Sequence, residues 1–399
     1  MPASVNVERR AARLGIDTLL EQDRGLIAGR RIGVVSNPAS VDAAFRHTTD
    51  RLAADPDIRL GAIFGPQHGF RSDLQDNMIE TPHARDERRR VPVFSLYSET
   101  REPTEEMLDG LDVLVIDLQD VGTRVYTYIY TMANCMRAAA RHGVRVVVCD
   151  RPNPVGGEHI EGATLRNEFA SFVGQFPIPL RHGMTIGELA RLFNEAFRLN
   201  AALDVVPVQG WRRSMYFDET GLPWIMPSPN LPTLDSVIVY PGAVLFEGTM
   251  LSEGRGTTRP FELVGAPWID GDRLAEGMNA RGLPGVHFRS AFFEPTFQKH
   301  ARQTCGGCQI HVTDRSVFEP VRTAVELIAG FRGQNPSKYA WREPPYEYER
   351  DKPPIDILYG SDRLRAAIEA GLGADALAAS WKEDAEAFRR QRQKYLMYT

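Results

Sequence analysis

The amino-acid sequence predicts an α/β protein, with a doubly wound parallel sheet over residues 1–235 and a second, smaller α+β domain over 236–399. Three observations predict it. At 399 residues the chain exceeds one ordinary core, so two domains are expected. Its first half alternates short apolar runs with helical patterns, as strands joined by crossover helices do. The alternation then breaks at the proline-rich Trp224-Ile-Met-Pro-Ser-Pro-Asn-Leu-Pro-Thr233.

Five runs read as buried parallel strands, because each is brief, apolar and bounded by Gly, Pro, Asn or Asp: 31–36, 58–64, 92–96, 112–118 and 144–149. Helices are expected over 125–141 and after Thr185-Ile-Gly-Glu188, a capping box ahead of Leu189, Leu192 and Phe193. Beyond residue 235, strands are expected at 237–240, 286–293 and 309–312, mixed with helices over 317–331 and 374–395. The segment 343–354, Glu-Pro-Pro-Tyr-Glu-Tyr-Glu-Arg-Asp-Lys-Pro-Pro, reads as an exposed connector. Cys305-Gly-Gly-Cys308 reads as a plain loop, since no second ligand pair follows at a spacing that suits zinc.

Composition excludes several classes of function. With 43% hydrophobic and 25% charged residues the chain is an ordinary globular one. A formal net charge of −5 lacks the electrostatic footprint of a protein that tracks nucleic acid or anionic lipid. No stretch approaches the ~18 apolar residues a membrane span needs. The stretch from Met1 to Glu21 is broken by Glu8, Arg9, Arg10 and Arg13 and has no apolar core, so a cytoplasmic protein without a leader is expected.

In open parallel sheets ligands bind beyond the carboxyl ends of the strands. Polar residues recur there: Asn37-Pro38 after the first strand, Gly65-Pro-Gln67-His68-Gly-Phe70 after the second, Asp117-Leu-Gln-Asp120-Val-Gly-Thr-Arg124 after the fourth, and Asp150-Arg151-Pro-Asn153-Pro154 after the fifth. The first turn has no glycine fingerprint for a pyrophosphate, and neither a P-loop nor a Gly-x-Ser-x-Gly elbow occurs. No cofactor and no metal are expected. Tyr126 and Tyr128, beside Arg124, suit a sugar face, while Tyr130 reads as packing between helix and sheet. The densest run is Phe246-Glu247-Gly-Thr-Met-Leu-Ser-Glu253-Gly-Arg255-Gly-Thr257-Thr258-Arg-Pro260-Phe261-Glu262, where glycines would let backbone approach a ligand that carboxylate and guanidinium groups contact. Two carboxyls flanking a glycosidic bond are the minimum equipment for its hydrolysis, and this run with Asp120 could supply them from opposite sides of a cleft.

In order along the chain, Gly33-Val-Val-Ser-Asn-Pro38, Gly65-Pro-Gln-His-Gly-Phe70, Asp117-Leu-Gln-Asp-Val-Gly-Thr-Arg124, Asp150-Arg-Pro-Asn-Pro154, Arg181-His182-Gly-Met-Thr-Ile-Gly-Glu-Leu189, Pro227-Ser-Pro-Asn230-Leu-Pro-Thr233, Glu247-Gly-Thr and Ser252-Glu-Gly-Arg-Gly-Thr-Thr258 resemble the exo-β-N-acetylmuramidase family. The resemblance implies a Rossmann-like N-terminal domain, a C-terminal domain completing the cleft, and release of N-acetylmuramic acid from the non-reducing end of peptidoglycan fragments, with no dinucleotide. On that reading Asp120, Glu253 and Glu80 are the acid/base candidates. Asn37, Gln67, His68, Arg124, Tyr126, Tyr128, Arg151, Asn153, His182, Asn230, Glu247, Arg255 and Thr257 are expected to bind substrate, with Arg124, Arg151 or Arg255 pairing the lactyl carboxylate. One position departs: many members of the family carry Glu where this chain has Gln67, and an amide cannot donate a proton as a carboxylic acid does. Either another carboxylate acts, Glu80 being near in sequence, or the chain is a sugar-binding relative that has lost the acid.

Overall fold

The computed structural model describes residues 11–76 and 78–399. Strands β1 (Arg31–Ser36), β2 (Arg59–Gly65), β3 (Ala84–Asp86), β4 (Val91–Ser95), β5 (Val113–Asp117) and β6 (Arg145–Cys149) come first. A short antiparallel pair, β7 (Glu161–Thr164) and β8 (Pro179–Arg181), precedes β9 (Leu203–Val206). Seven of them form one sheet in the order β3-β4-β2-β1-β5-β6-β9, parallel throughout except for β3. The five expected strands are all present, shifted by at most a residue or two at their ends.

The continuous apolar character of these strands follows from burial of both faces. Val35, Leu114, Ile116, Val146 and Val148 point into one core, with the helices Tyr128–His142 and Ile186–Ala196 over them. Their neighbours Ile32, Val34, Val113, Val115, Val147 and Cys149 point into the other, covered by Ile16 and Leu19 of the helix Gly15–Glu21. Successive side chains alternate faces, so only a sheet covered on both sides requires apolar residues at every position. The capping box forms as expected: the Thr185 hydroxyl accepts from the Glu188 N–H at 3.2 Å, and the Glu188 carboxylate accepts from the Thr185 N–H at 3.1 Å.

The second domain carries β10 (Leu263–Ala266), β11 (Val286–Phe293) and β12 (Cys305–Val312), antiparallel in the order β10-β12-β11. Two expectations are corrected here. Residues 237–240 are helical, within Leu234–Ala243. Thr233 caps this helix by accepting from the Ser236 N–H at 3.3 Å, and complete burial suits the β-branched run to a helix as well as to a strand. Cys305-Gly-Gly-Cys308 is not a loop but the start of the central strand β12, with both thiols buried. A Cβ at Gly307 would stand 2.0 Å from the Val264 carbonyl oxygen, so the glycines serve close strand packing.

The helix Asp375–Arg392 returns to the first domain. Asp384 accepts from the Thr164 N–H at 2.8 Å, Arg392 donates to the Gly183 carbonyl at 2.6 Å, and beyond the helix the Tyr398 hydroxyl donates to Asp150 at 2.5 Å. Among the described residues no helix is long and apolar enough to cross a membrane. The part of the expected leaderless stretch that spans residues 1–10 lies outside the described residues.

Candidate active site

The crevice beyond β1 and β5, where strand order reverses, is narrowed by an ion pair and its hydrogen bonds. Arg151 donates to the Asp117 carboxylate through Nε at 2.5 Å and Nη2 at 3.0 Å and to the Val41 carbonyl at 3.1 Å. Thr48 donates to the same carboxylate, and Ser40 to the Asp117 carbonyl at 2.5 Å. These bonds tie Asp117, Arg151, Thr48 and Ser40 together, and a small cavity lined by Ala39, Val41, Gln119 and Arg151 remains beside them. Arg151 is therefore a buried ion-pair partner of Asp117.

Other expected binding residues hold the scaffold together. Arg124 is wholly buried and donates to the carbonyls of Ala163 at 2.7 Å, Ile178 at 3.1 Å and Leu358 at 2.7 Å. Asn153 donates to the Met184 carbonyl at 2.9 Å, and Thr257 to the Gly254 carbonyl at 2.6 Å. Asn37 donates to the Tyr128 hydroxyl at 3.1 Å and the Pro227 carbonyl at 2.7 Å, fixing the floor beneath the site. Asp120 caps the turn at Gly122, accepting its N–H at 2.8 Å, and stands 3.4 Å from Nε2 of His182. Glu80 is exposed and paired with Arg101 at 3.0 Å.

A cavity opens instead between the loops after β2 and β5, the segment 228–231, and the second domain. Gln67, His68, Tyr126, Tyr128, Asn230, Glu247 and Arg255 line it, joined by Thr127, Tyr240, Phe261, Tyr346 and Glu347. One wall is aromatic: Tyr126 lies 4.7 Å from Tyr128 and 6.1 Å from Tyr240, and Tyr240 lies 4.8 Å from Phe261, measured between ring centroids. His68 donates Nδ1–H to the Leu74 carbonyl at 2.8 Å, and burial depresses its pKa to about 4, so the ring is neutral with Nε2 as an acceptor. Asn230 donates to the Gln75 carbonyl at 2.7 Å, tying the 66–83 loop to the cavity rim.

The cavity holds two carboxyls in opposite electrostatic states. Burial alone would raise Glu247, but Arg255 at 2.7 Å, the Tyr346 hydroxyl at 2.8 Å and the charge of Lys299 outweigh it and hold the carboxyl below its ordinary range. Arg255 also approaches Glu253 at 3.3 Å, and Lys299 meets Glu253 at 2.6 Å, so two cations balance two carboxylates in one buried cluster. Glu253 is thus a brace behind the cavity wall. The glycines beside Arg255 brace it too: a Cβ at Gly254 would meet the Leu263 carbonyl at 2.6 Å, and one at Gly256 the Phe297 N at 2.8 Å. They admit neighbouring backbone, not a ligand.

Glu347 is the other carboxyl, and only 4% of it is exposed. Burial pushes its pKa up to about 7, helped by the negative charge of Glu247 and only partly opposed by hydrogen bonds from Tyr97 and Gln67 and by Arg255. Tyr97 donates to it at 2.8 Å and the Gln67 amide at 3.1 Å, while Thr127 donates to the Gln67 carbonyl at 2.7 Å. Gln67 therefore orients a carboxyl, with its own amide fixed by Thr127. The expected exposed connector is corrected by this turn, since Tyr346 and Glu347 are buried in the cavity wall. Backbone bonds of 2.9 Å run both ways between Tyr346 and Glu349, and Glu347 and Tyr348 between them have φ of 44° and 70°. Such left-handed positions usually take Asn-Gly, and side chains there cost about 1–2 kcal/mol each.

Sequence reasoning missed Glu347, Tyr346, Tyr97, Thr127 and Lys299. The signal available for the first two was Tyr-Glu-Tyr-Glu, an alternation of aromatic and acid inside a proline-rich stretch whose composition otherwise reads as solvent-facing.

Comparison with known proteins covers nearly the whole chain. Residues 32–235 match the family model of the exo-beta-N-acetylmuramidase NamZ N-terminal domain, and residues 238–398 that of its C-terminal domain. The peptidoglycan beta-N-acetylmuramidase NamZ of Bacillus subtilis strain 168 is 48% identical over 384 residues, 96% of this chain and 91% of the relative. A crystal structure of a DUF1343 family protein from Bacteroides fragilis superposes with a TM-score of 0.89 at 35% identity, covering 98% of this chain and all of that one. A second from the same organism gives 0.77 at 30% identity, covering 97% and 99%. Matched in both halves, the chain belongs to the exo-β-N-acetylmuramidase NamZ family.

Proposed function

We propose that the chain is an exo-β-N-acetylmuramidase that releases terminal N-acetylmuramic acid from the non-reducing end of peptidoglycan fragments, with Glu347 as proton donor and Glu247 as the ionised second carboxyl. The observation that carries this reading is the opposed state of the two carboxyls in one buried cavity, since environments that push two pKa values apart separate an acid from an anion. Family membership supports the glycosidase reading, and the neutral His68, the aromatic wall and the Asn230 rim supply hydrogen bonds and apolar surface of the kind a sugar ring needs.

Gln67 is a positioning residue on this reading, and its amide does not disable the site, because the proton sits on the neighbouring Glu347. Asp120, Glu253 and Glu80 become scaffold, brace and rim rather than acid/base groups. Of the three arginines expected to meet the lactyl carboxylate, Arg255 lines the cavity, so the lactyl contact is placed there. Two domains meeting near residue 235 fit the separate family matches on either side of that point.

The test compares chromogenic β-N-acetylmuramide and β-N-acetylglucosaminide. The muramide is expected to have much the higher kcat/KM, because only its lactyl carboxylate can add a contact to Arg255 beyond those with Glu247 and Glu253. Equal kcat/KM for both would reject lactyl recognition. Binding of the muramide by calorimetry with no release of sugar would instead show a sugar-binding relative.

A further inference from the structure

The turn that aims Glu347 inward aims Tyr348 outward, and we propose that the Tyr348 ring is the platform for the leaving sugar, a pyranose subsite just outside the cavity. The inference builds on the reading of Glu347 as proton donor. A glycosidic oxygen must meet that proton, and the sugar beyond the oxygen then lies on the solvent side of the carboxyl. Tyr348 is the next residue on the turn and is 49% exposed, although its neighbour is buried. Both hold left-handed backbone that glycine or asparagine would adopt at lower cost, and strain of this kind persists where the side chains themselves are used.

The ring is also held rigidly for an exposed side chain. The Arg101 guanidinium carbon lies 3.8 Å from its centroid, Tyr97 and Phe172 meet it in T-shaped contacts at 5.9 and 6.2 Å, and its hydroxyl donates to Glu80 at 3.2 Å. Glu80 in turn accepts from Arg101 at 3.0 Å. The guanidinium covers one face of the ring, so a pyranose would lay its C–H face on the exposed part of Tyr348 and turn hydroxyls toward Glu80 at the ring edge. Fixing the ring beforehand lowers the ordering cost of binding.

The measurement is kcat/KM for two substrates that share N-acetylmuramic acid and a poor leaving group: the β-1,4 disaccharide with N-acetylglucosamine, and the β-methyl glycoside, which has no second ring. In Tyr348→Ala the ratio of disaccharide to methyl glycoside is expected to fall about tenfold, the equivalent of roughly 1.4 kcal/mol. Tyr348→Phe, which keeps the ring, is expected to retain the wild-type ratio. If Tyr348→Ala does not fold, Tyr348→Leu replaces it, with the same fall expected. Because Tyr348 packs on Tyr97, which holds Glu347, a loss through the acid would lower both substrates equally; that outcome, or an unchanged ratio, overturns the platform. Wild-type protein that cleaves neither substrate would overturn the proton-donor reading instead.

Discussion

Two buried arginine–carboxylate clusters stand close to the sheet's carboxyl edge, and they differ in one respect. At the strand-order reversal, Asp117 and Arg151 find all their partners in the protein, with Thr48 and the Val41 carbonyl completing the set. At the seam with the second domain, the Glu247–Arg255 pair shares its cavity with Glu347, a carboxyl whose proton leaves only near neutral pH. A cluster whose charges are fully matched is structural, while an extra ionisable group beside a matched pair provides a proton that can move. On the proposed reading the chemistry lies at the seam and not in the usual ligand crevice of an open α/β sheet.

The contrast is broken most severely at Glu347. Glu347→Gln keeps the shape and the Tyr97 contact but has no proton to give, so kcat is expected to drop by ~10²–10⁴ with little change in melting temperature. Asp120→Asn and Glu253→Gln, assayed alongside, should lose far less kcat per unit of folded protein; equal losses would move the acid elsewhere.

The narrowed crevice should respond in the opposite currency, stability. Arg151→Ala leaves the Asp117 carboxylate buried without its cation, and a cost of about 3–5 kcal/mol is expected from a broken buried pair. Denaturant midpoints measure it, and kcat per folded molecule should change little. A variant as stable as wild type but slow would show that the crevice takes part in the reaction.

The finest distinction lies in the Gln67–Glu347 contact at 3.1 Å. Gln67→Glu would place two carboxyls within hydrogen-bond distance, which cannot both ionise, so one macroscopic pKa falls and the other rises. With the acid already raised to about 7, activity in the wild type should fall as pH climbs through 7, and in Gln67→Glu that alkaline limb should move to higher pH. An unchanged limb in the pH–kcat profile would remove Glu347 from the proton transfer.

The sheet could be read from the sequence because burial on both faces forces apolar residues at every strand position, a pattern that needs no tertiary context. The site was legible only in part. Gln67, His68, Tyr126, Glu247 and Arg255 stood out as polar or aromatic residues at strand ends or in a glycine-rich run, Asn230 only within a motif shared with the family, and the cavity gathers them. Arg124, Arg151 and Asn153 stood out equally, yet their partners are carbonyls and a carboxylate brought from far along the chain, which no local pattern reveals. Glu347 was hidden for the converse reason. Its burial depends on a turn folding back across 280 residues to meet Gln67, and proline with charge is how exposed linkers also look.

The left-handed Glu347–Tyr348 turn bears on how this protein can be improved or drift. Replacing the pair by Asn-Gly would relieve backbone strain, so a screen for heat resistance alone would be drawn to these positions and would discard the acid in doing so. Lineages freed from the need to cleave sugar should lose the two side chains early, and gain robustness as they do.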